Sequence, residues 1–229
     1  MFKSKYFFCF LILTFISAEL FFQSCKQPVK EEEKSDSTAI KQSDLGKLND
    51  EIVSNPGNSD LYAKRAVIFL QKNNLKQAYD DISKAVSIDS MNESYYLLLA
   101  DISFKGLLIQ QSINAFGKAI LLKPDDLQAH LKYSELLLYL KAYEKCLLEA
   151  DMALKIDKHT PKAYFIKGFA YKETGDTARA LSSFQTSVEL DPDYYDAYIQ
   201  LGNIESKRMH PVALQYYNNA LRIQPSRSF

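Results

Sequence analysis

One spacing constrains this chain more than any other feature, because the same residue types return every 34 residues. Small side chains recur at Ala85, Ala119, Ala153 and Ser187, and ring-bearing side chains recur at Tyr62, Tyr96, His130, Tyr164 and Tyr198. A fixed period of this length is typical of a stack of small structural units. Such stacks present extended binding surfaces. The period therefore favours a protein that binds a partner over one that carries out chemistry.

Each period contains two helical patterns. Apolar residues from Tyr96 to Phe104 recur at the spacing of one helix face, and a second such pattern runs from Ile109 to Ile120. Pro124 ends the second pattern, because proline lacks the backbone N–H and clashes with the preceding turn. Asp126 then stands where the next helix begins, beside unpaired N–H groups. The sequence thus predicts an all-α fold.

The fourth period shows the pattern most clearly, with Tyr164, Gly168, Tyr171, Ala180, Phe184 and Pro192. An aromatic, a small residue, a second aromatic, an Ala, a third aromatic and a Pro in this order resemble the tetratricopeptide repeat. The resemblance implies an α-solenoid of five helix-turn-helix units. These units begin near Ser59, Glu93, Leu127, Pro161 and Tyr195.

The resemblance also implies small side chains where the two helices of a unit approach each other. On the first helices these are Ala66, Ala100, Ser134, Gly168 and Gly202, and on the second helices they are Ala78, Ser112, Cys146, Ala180 and Ala213. Because Cys146 occupies such a position, we expect a buried and unreactive thiol.

The two ends of the array differ from its interior. Residues from Leu45 to Val53 resemble an isolated second helix, which predicts an N-terminal cap and an array spanning residues 45–225. No polar closing helix follows Pro225, and residues 226–229 are a short tail. Tyr217 and Leu221 would then lack a covering neighbour. Two hypotheses follow: a surface for a partner or for self-association, and a frayed C-terminus.

The first 24 residues are predicted to be a signal peptide. Lys3 and Lys5 precede an uncharged stretch, residues 6–18, that is shorter than the roughly 20 residues needed to span a bilayer. The tetrad Phe22-Gln23-Ser24-Cys25 resembles a bacterial lipobox, which implies acylation, including palmitate, at Cys25. Two alternatives stay open: cleavage after Ala18, which would release a periplasmic protein, and an uncleaved anchor.

Residues 25–44 have few apolar side chains, many charges and no period, which predicts a disordered tether after the acylated cysteine. The run from Lys30 to Glu33 resembles a short acidic tag that some Gram-negative lipoproteins use for surface display; a solvated linker is the alternative. We expect a lipid-anchored protein of the bacterial cell envelope, on the outer membrane, facing the periplasm or the surface.

No pattern in the sequence indicates catalysis, so we expect a protein that is not an enzyme and needs no cofactor. The three histidines are dispersed and lack metal-ligand spacing. His130 occupies a repeat aromatic position, which favours packing. The adjacent pairs Asp80-Asp81 and Asp125-Asp126 are interpreted as solvated or capping residues. Basic and acidic residues balance at 28 each, which gives no long-range attraction to nucleic acid.

In tetratricopeptide proteins the first helices line a concave groove. The resemblance implies a rather apolar groove here, with core packing as the alternative for any single member. The implied lining is Ala63, Val67, Leu70, Leu97, Asp101, Phe104, Leu131, Glu135, Leu138, Tyr139, Phe165, Phe169, Lys172, Ile199 and Asn203.

Repeats that bind acidic chaperone tails carry a Lys and an Asn one turn apart on a first helix. The matching positions here hold Ala63 and Val67, then Leu131 and Glu135, so that clamp is absent. The sequence therefore predicts a membrane-tethered scaffold that binds a protein or peptide segment in its groove. The alternatives are a pilotin-like or outer-membrane assembly factor, and a released periplasmic accessory protein.

Overall fold

Five helical hairpins repeat along residues 36–225, the part of the chain that the computed structural model describes. The helices are α1 (Asp36–Ser54), α2 (Ser59–Gln71), α3 (Leu75–Ile88), α4 (Glu93–Lys105), α5 (Ile109–Leu122), α6 (Leu127–Tyr139), α7 (Tyr143–Ile156), α8 (Pro161–Glu173), α9 (Thr177–Leu190), α10 (Tyr195–Lys207) and α11 (Val212–Ile223). Helices α2 to α11 form the five hairpins, and each first helix begins at the predicted residue. The all-α solenoid is thus confirmed.

Short polar caps and tight turns set the limits of these helices. Asn58 and Asp126 accept hydrogen bonds from the backbone N–H groups that begin α2 and α6, at 3.1 and 2.9 Å. Each turn inside a hairpin places one residue in the left-handed region, with φ of +84° at Gly175 and +59° at Leu107. The Leu108 N–H closes that turn on the Ser103 carbonyl at 2.8 Å.

The two helices of each hairpin meet at the predicted small residues, all of which are buried. A methyl group on Gly168 would lie 2.6 Å from the Phe184 ring, and one on Gly202 would lie 2.5 Å from the Tyr217 ring. In the second hairpin the Ser112 hydroxyl donates to the Ala100 carbonyl at 2.9 Å. Only small side chains leave room for the partner helix at these positions.

Helix α1 caps the first hairpin, as the sequence predicted. Leu48 and Ile52 pack with Leu61 of α2. The Arg65 guanidinium also donates to the Asn49 side chain at 2.8 Å, which ties α2 to α1. The array belongs to a compact unit that begins at Lys41.

Helix α1 begins at Asp36, nine residues before the predicted start at Leu45, so residues 36–44 are helical. The prediction of a disordered tether up to residue 44 is therefore wrong for this stretch. Asp36 suits a helix N-terminus, and Ala39 and Lys41 have good helix propensity. Such preferences of single residues can extend a helix where the sequence has no apolar period, and the prediction relied on that period alone.

One member of the pair Asp80-Asp81 also differs from its prediction. Asp80 is exposed, but Asp81 is buried and accepts two hydrogen bonds of 2.7 Å from Arg65. Asp81 therefore links α2 to α3 rather than being solvated or capping a helix.

None of the helices within residues 36–225 is long and apolar enough to cross a bilayer. The predicted signal peptide, Cys25, the acidic stretch and the tail at residues 226–229 lie outside the described residues.

We expect Gly168→Ala to lower the free energy of unfolding by about 1–3 kcal/mol, because the added methyl would overlap the Phe184 ring. Gly117→Ala is the matched control, since nothing lies within 4 Å of that position in α5. It should raise stability by about 0.5–1 kcal/mol through helix propensity. Urea unfolding followed by circular dichroism measures both, and equal effects would contradict the close-contact model.

The Cys146 thiol should resist alkylation in the folded protein, because burial raises its pKa to about 12 and blocks access. Iodoacetamide treatment at pH 8, followed by peptide mass spectrometry, should leave Cys146 unmodified in buffer and modified in urea. Site-resolved detection separates this residue from the other two cysteines. Rapid labelling in buffer would show that the helix contact around Cys146 opens.

Candidate functional site: the first-helix groove

The exposed sides of α2, α4, α6, α8 and α10 form the candidate site, which we call the groove. One recess of the groove, called the apolar pocket, lies where α2, α4 and α6 come together and has a volume of about 540 Å³. The lining residues are Leu70, Asp101, Phe104, Lys105, Phe116, Lys132, Glu135, Leu136 and Tyr139. The structure thus brings five of the predicted groove residues together: Leu70, Asp101, Phe104, Glu135 and Tyr139.

Two aromatic rings give the apolar pocket its shape. Phe104 and Tyr139 meet edge to face, with ring centroids 5.2 Å apart. Tyr139 is 63% exposed, a high value for a large ring in a folded domain. The pair therefore offers an open aromatic surface against which an apolar side chain of a partner can pack.

The carboxylates of the groove are matched by lysines of the next first helix. Asp101 of α4 lies 2.5 Å from the Lys132 ammonium of α6, and Glu135 of α6 lies 2.8 Å from the Lys162 ammonium of α8. These pairs keep the centre of the groove nearly neutral. They escaped the sequence prediction because both link residues of successive units, and no local pattern reports such a pairing.

A shallower recess of about 370 Å³ extends the groove toward its N-terminal end. Ala63, Val67 and Leu97, all of them predicted, line it together with Asp101. Val67 is exposed and Leu97 is half-buried.

Some predicted groove residues serve mainly in packing. Leu131 is only 3% exposed and belongs to the core between α6, α7 and α8, so at this position the structure favours the packing alternative over groove lining. Leu138 is half-buried against the same core. Successive residues on a helix point about 100° apart, and the neighbouring Lys132 faces the groove instead. Ile199 is half-buried, and none of the recesses described here includes it.

Phe165 and Phe169 form an aromatic wall with the second helix of their own unit. Their ring centroids lie 5.0 Å apart and 5.7 and 5.5 Å from the ring of Phe184. Tyr194 packs on Phe165 at 4.9 Å, and burial raises the pKa of its phenol to about 12. Both phenylalanines are half-buried, so this wall supports the groove and exposes only its edges.

A second recess, called the basic pocket, has a volume of about 560 Å³ and lies at the C-terminal ends of α8 and α10. Its lining is Lys172, Thr177, Asn203, Ile204, Ser206, Lys207, Arg208 and Tyr217. Lys172 and Asn203 were predicted as groove residues, whereas Lys207 and Arg208 were not. Their signal was present in the sequence as a basic pair at the end of the last first helix.

His130 and Asp126 have structural roles. The buried His130 ring lies 2.7 Å from a Glu149 oxygen and 3.0 Å from the Pro124 carbonyl oxygen, which confirms the packing interpretation. Asp126 caps α6, as described above. Among residues 36–225 no group of histidine, cysteine and acidic side chains could hold a metal ion.

Comparison with known proteins places the repeat in a family. A tetratricopeptide-repeat family model matches residues 161–194, which is the fourth hairpin. The DnaJ protein P58IPK homolog A of Oryza sativa subsp. japonica is 28% identical over 179 residues, which are 71% of this chain. The match covers 38% of that relative's length.

Two solved structures share the fold at low sequence identity. YrrB, described as a tetratricopeptide protein with an unusual peptide-binding site, superposes with a TM-score of 0.61 at 22% identity, over 79% of this chain and 93% of YrrB. PilW, described as a widely conserved type IV pilus biogenesis factor, gives a TM-score of 0.67 at 20% identity, over 74% and 79% of the two chains. The matching repeat model and five hairpins at one 34-residue period identify the chain as a protein built of tetratricopeptide repeats.

Proposed function

We propose that this protein is a non-enzymatic interaction scaffold that binds a segment of a partner protein in the groove. The observation that carries the proposal is the apolar pocket, where the exposed Tyr139 ring and Phe104 form an open recess between three first helices. Aromatic side chains bind at low entropic cost, because they have few rotatable bonds to fix when a partner arrives. Repeat arrays commonly bind partners through their extended concave surfaces.

The charges of the groove favour a partner segment that is apolar at its centre. Asp101 and Glu135 are each already paired with a lysine, so neither carboxylate is left to recruit a basic side chain. An extended or helical segment that inserts an apolar side chain between Phe104 and Tyr139 fits this environment. The peptide-binding site described for YrrB gives the proposal a precedent within the fold.

The proposal also places the array at a membrane of the bacterial envelope, held by lipid on Cys25. Its support is the tetrad ending at Cys25 and the uncharged stretch before it. Dual or triple acylation anchors a protein stably, since each buried methylene contributes about 0.8 kcal/mol. We propose that the lipid anchor lies in the outer membrane.

Cys25→Ala should move the protein from the membrane fraction to the soluble fraction, because the acylated residue is lost. Cys146→Ala, which changes a buried thiol within the array, is the matched control and should stay with the membrane. Mass spectrometry of the mature N-terminus gives the direct measurement. A mature chain that begins after Ala18 without lipid would support the released periplasmic form instead.

An assembly factor is the second candidate function, and the fold likeness to PilW favours it. Deletion of the gene separates the two candidates. Loss of an assembled pilus or secretion pore would support the assembly factor, whereas intact pores would support a general scaffold.

Photocrosslinking tests the groove itself. With a benzophenone amino acid at position 139, we expect a discrete crosslinked partner from the cell envelope. The same probe at Leu148, an apolar residue of α7 that is 59% exposed, is the matched control and should give no such product. Tyr139→Ser should lower the affinity for the identified partner by about tenfold or more, as removal of an interface aromatic does.

Circular dichroism should show unchanged helicity in Tyr139→Ser, since this ring is mostly exposed. Equal crosslinking from positions 139 and 148, or unchanged affinity of Tyr139→Ser, would contradict the assignment of the groove.

A further inference from the structure

The apolar and basic pockets occupy the same place in the repeat. Phe104 and Lys172 are two repeat steps apart, and so are Tyr139 and Lys207. Each pocket therefore lies between successive first helices, α4 and α6 in one case and α8 and α10 in the other. At these two junctions the side chains at the two shared positions set the chemistry of the recess. At the first junction they are aromatic, and at the second they are cationic.

The lining of the basic pocket supplies cations and hydrogen-bond donors. Lys172, Lys207 and Arg208 contribute positive charge, and Thr177 and Ser206 contribute hydroxyl groups. None of the residues that line this pocket is acidic. A recess of this composition suits an anionic group, because charge-assisted hydrogen bonds from several donors converge on it.

The side-chain amide of Asn203 adds a further hydrogen-bond donor, and a hydrogen bond from Tyr217 orients it. The Tyr217 hydroxyl donates to the Asn203 Oδ1 atom at 2.9 Å, so the amide oxygen is engaged and the amide NH₂ group remains to donate. Tyr217 is itself held in place, because its ring lies directly against Gly202. The wall of the basic pocket is thus organised before any ligand arrives.

Nearby acidic groups neutralise only part of this charge. Arg208 is paired with Glu205 at 2.9 Å, and the Lys172 ammonium lies 3.8 Å from Glu173 and 2.9 Å from the Gln200 side-chain oxygen. Lys207 takes part in none of the ion pairs found among residues 36–225. The pocket therefore keeps an excess of positive charge, with Lys207 as its uncompensated cation.

We propose that the basic pocket binds a carboxylate of an acidic peptide whose apolar side chain occupies the apolar pocket. This inference rests on the proposed function and specifies the chemistry of the partner. Neighbouring packed helices lie about 10 Å apart, so two units separate the pockets by roughly 20 Å. An extended peptide covers that distance in about six residues. The partner segment thus carries an aromatic or aliphatic residue and an Asp, Glu or terminal carboxylate about six residues away.

The site differs from the chaperone-tail clamp in the position of its cations. That clamp uses residues one turn apart in the middle of the first helices, where this chain has Ala63, Val67, Leu131 and Glu135. Asn203 shares the repeat position of Val67 and Glu135. The cations Lys172, Lys207 and Arg208 instead lie at the C-terminal ends of α8 and α10, next to the turns of the last two hairpins.

Selection from a random dodecapeptide phage library tests the proposal with a defined probe. The full mature chain is the bait, beside Lys207→Glu and a matched control, Lys84→Glu, which places the same charge change on an exposed position of α3 outside the groove. We expect wild type and Lys84→Glu to enrich peptides that carry an acidic residue about six positions from an apolar one. Lys207→Glu should lose the acidic preference and keep the apolar one.

Affinity measurements on one enriched peptide complete the test. For wild type, we expect Kd to rise about tenfold when the acidic residue of the peptide is changed to its amide. For the unchanged peptide, Kd with Lys84→Glu should lie within twofold of the wild-type value. Peptides enriched for apolar residues alone, with the same sequences from Lys207→Glu, would overturn the carboxylate site and leave the proposed scaffold intact. A bait that enriches no peptide would overturn both. Competition by inorganic phosphate at micromolar concentration would show a site for free anions and would also overturn the proposal.

Discussion

The close approach of two helices through small side chains is the contact on which this structure depends. Where the first helix carries Gly168 or Gly202, the second helix fills the space with the ring of Phe184 or Tyr217. These two hairpins are stiff because a ring held against the backbone has no room to change rotamer. Their first helices, α8 and α10, are the two between which the basic pocket lies.

The repeated features were readable from the sequence, because every hairpin uses the same spacing of aromatic, small and apolar residues. The first helices begin where that spacing predicted, from Ser59 to Tyr195. Features without a period were missed. The early start of α1 at Asp36 depends on local helix propensity, and the bidentate pair between Arg65 and Asp81 depends on the way α2 packs against α3.

The groove was predicted less completely than the fold, since its lining depends on small rotations of the helices. Leu131 and Lys132 are adjacent, yet the first is in the core and the second faces the groove. Two of the three cations of the basic pocket, Lys207 and Arg208, come from the end of α10 and the turn that follows, and neither was predicted to line the groove. The resemblance to the tetratricopeptide repeat thus predicts the groove as the candidate surface, and only the packed structure identifies the pockets within it.

The ion pairs between successive first helices lie above contacts that are much harder to break. Asp101 with Lys132 and Glu135 with Lys162 are all more than 30% exposed in their side chains, and pairs of this kind contribute less than about 1 kcal/mol. Neighbouring hairpins stay joined when such a pair breaks, because buried residues of α6, α7 and α8 form one core. Salt can therefore loosen the charged surface of the groove while the stack beneath it stays assembled.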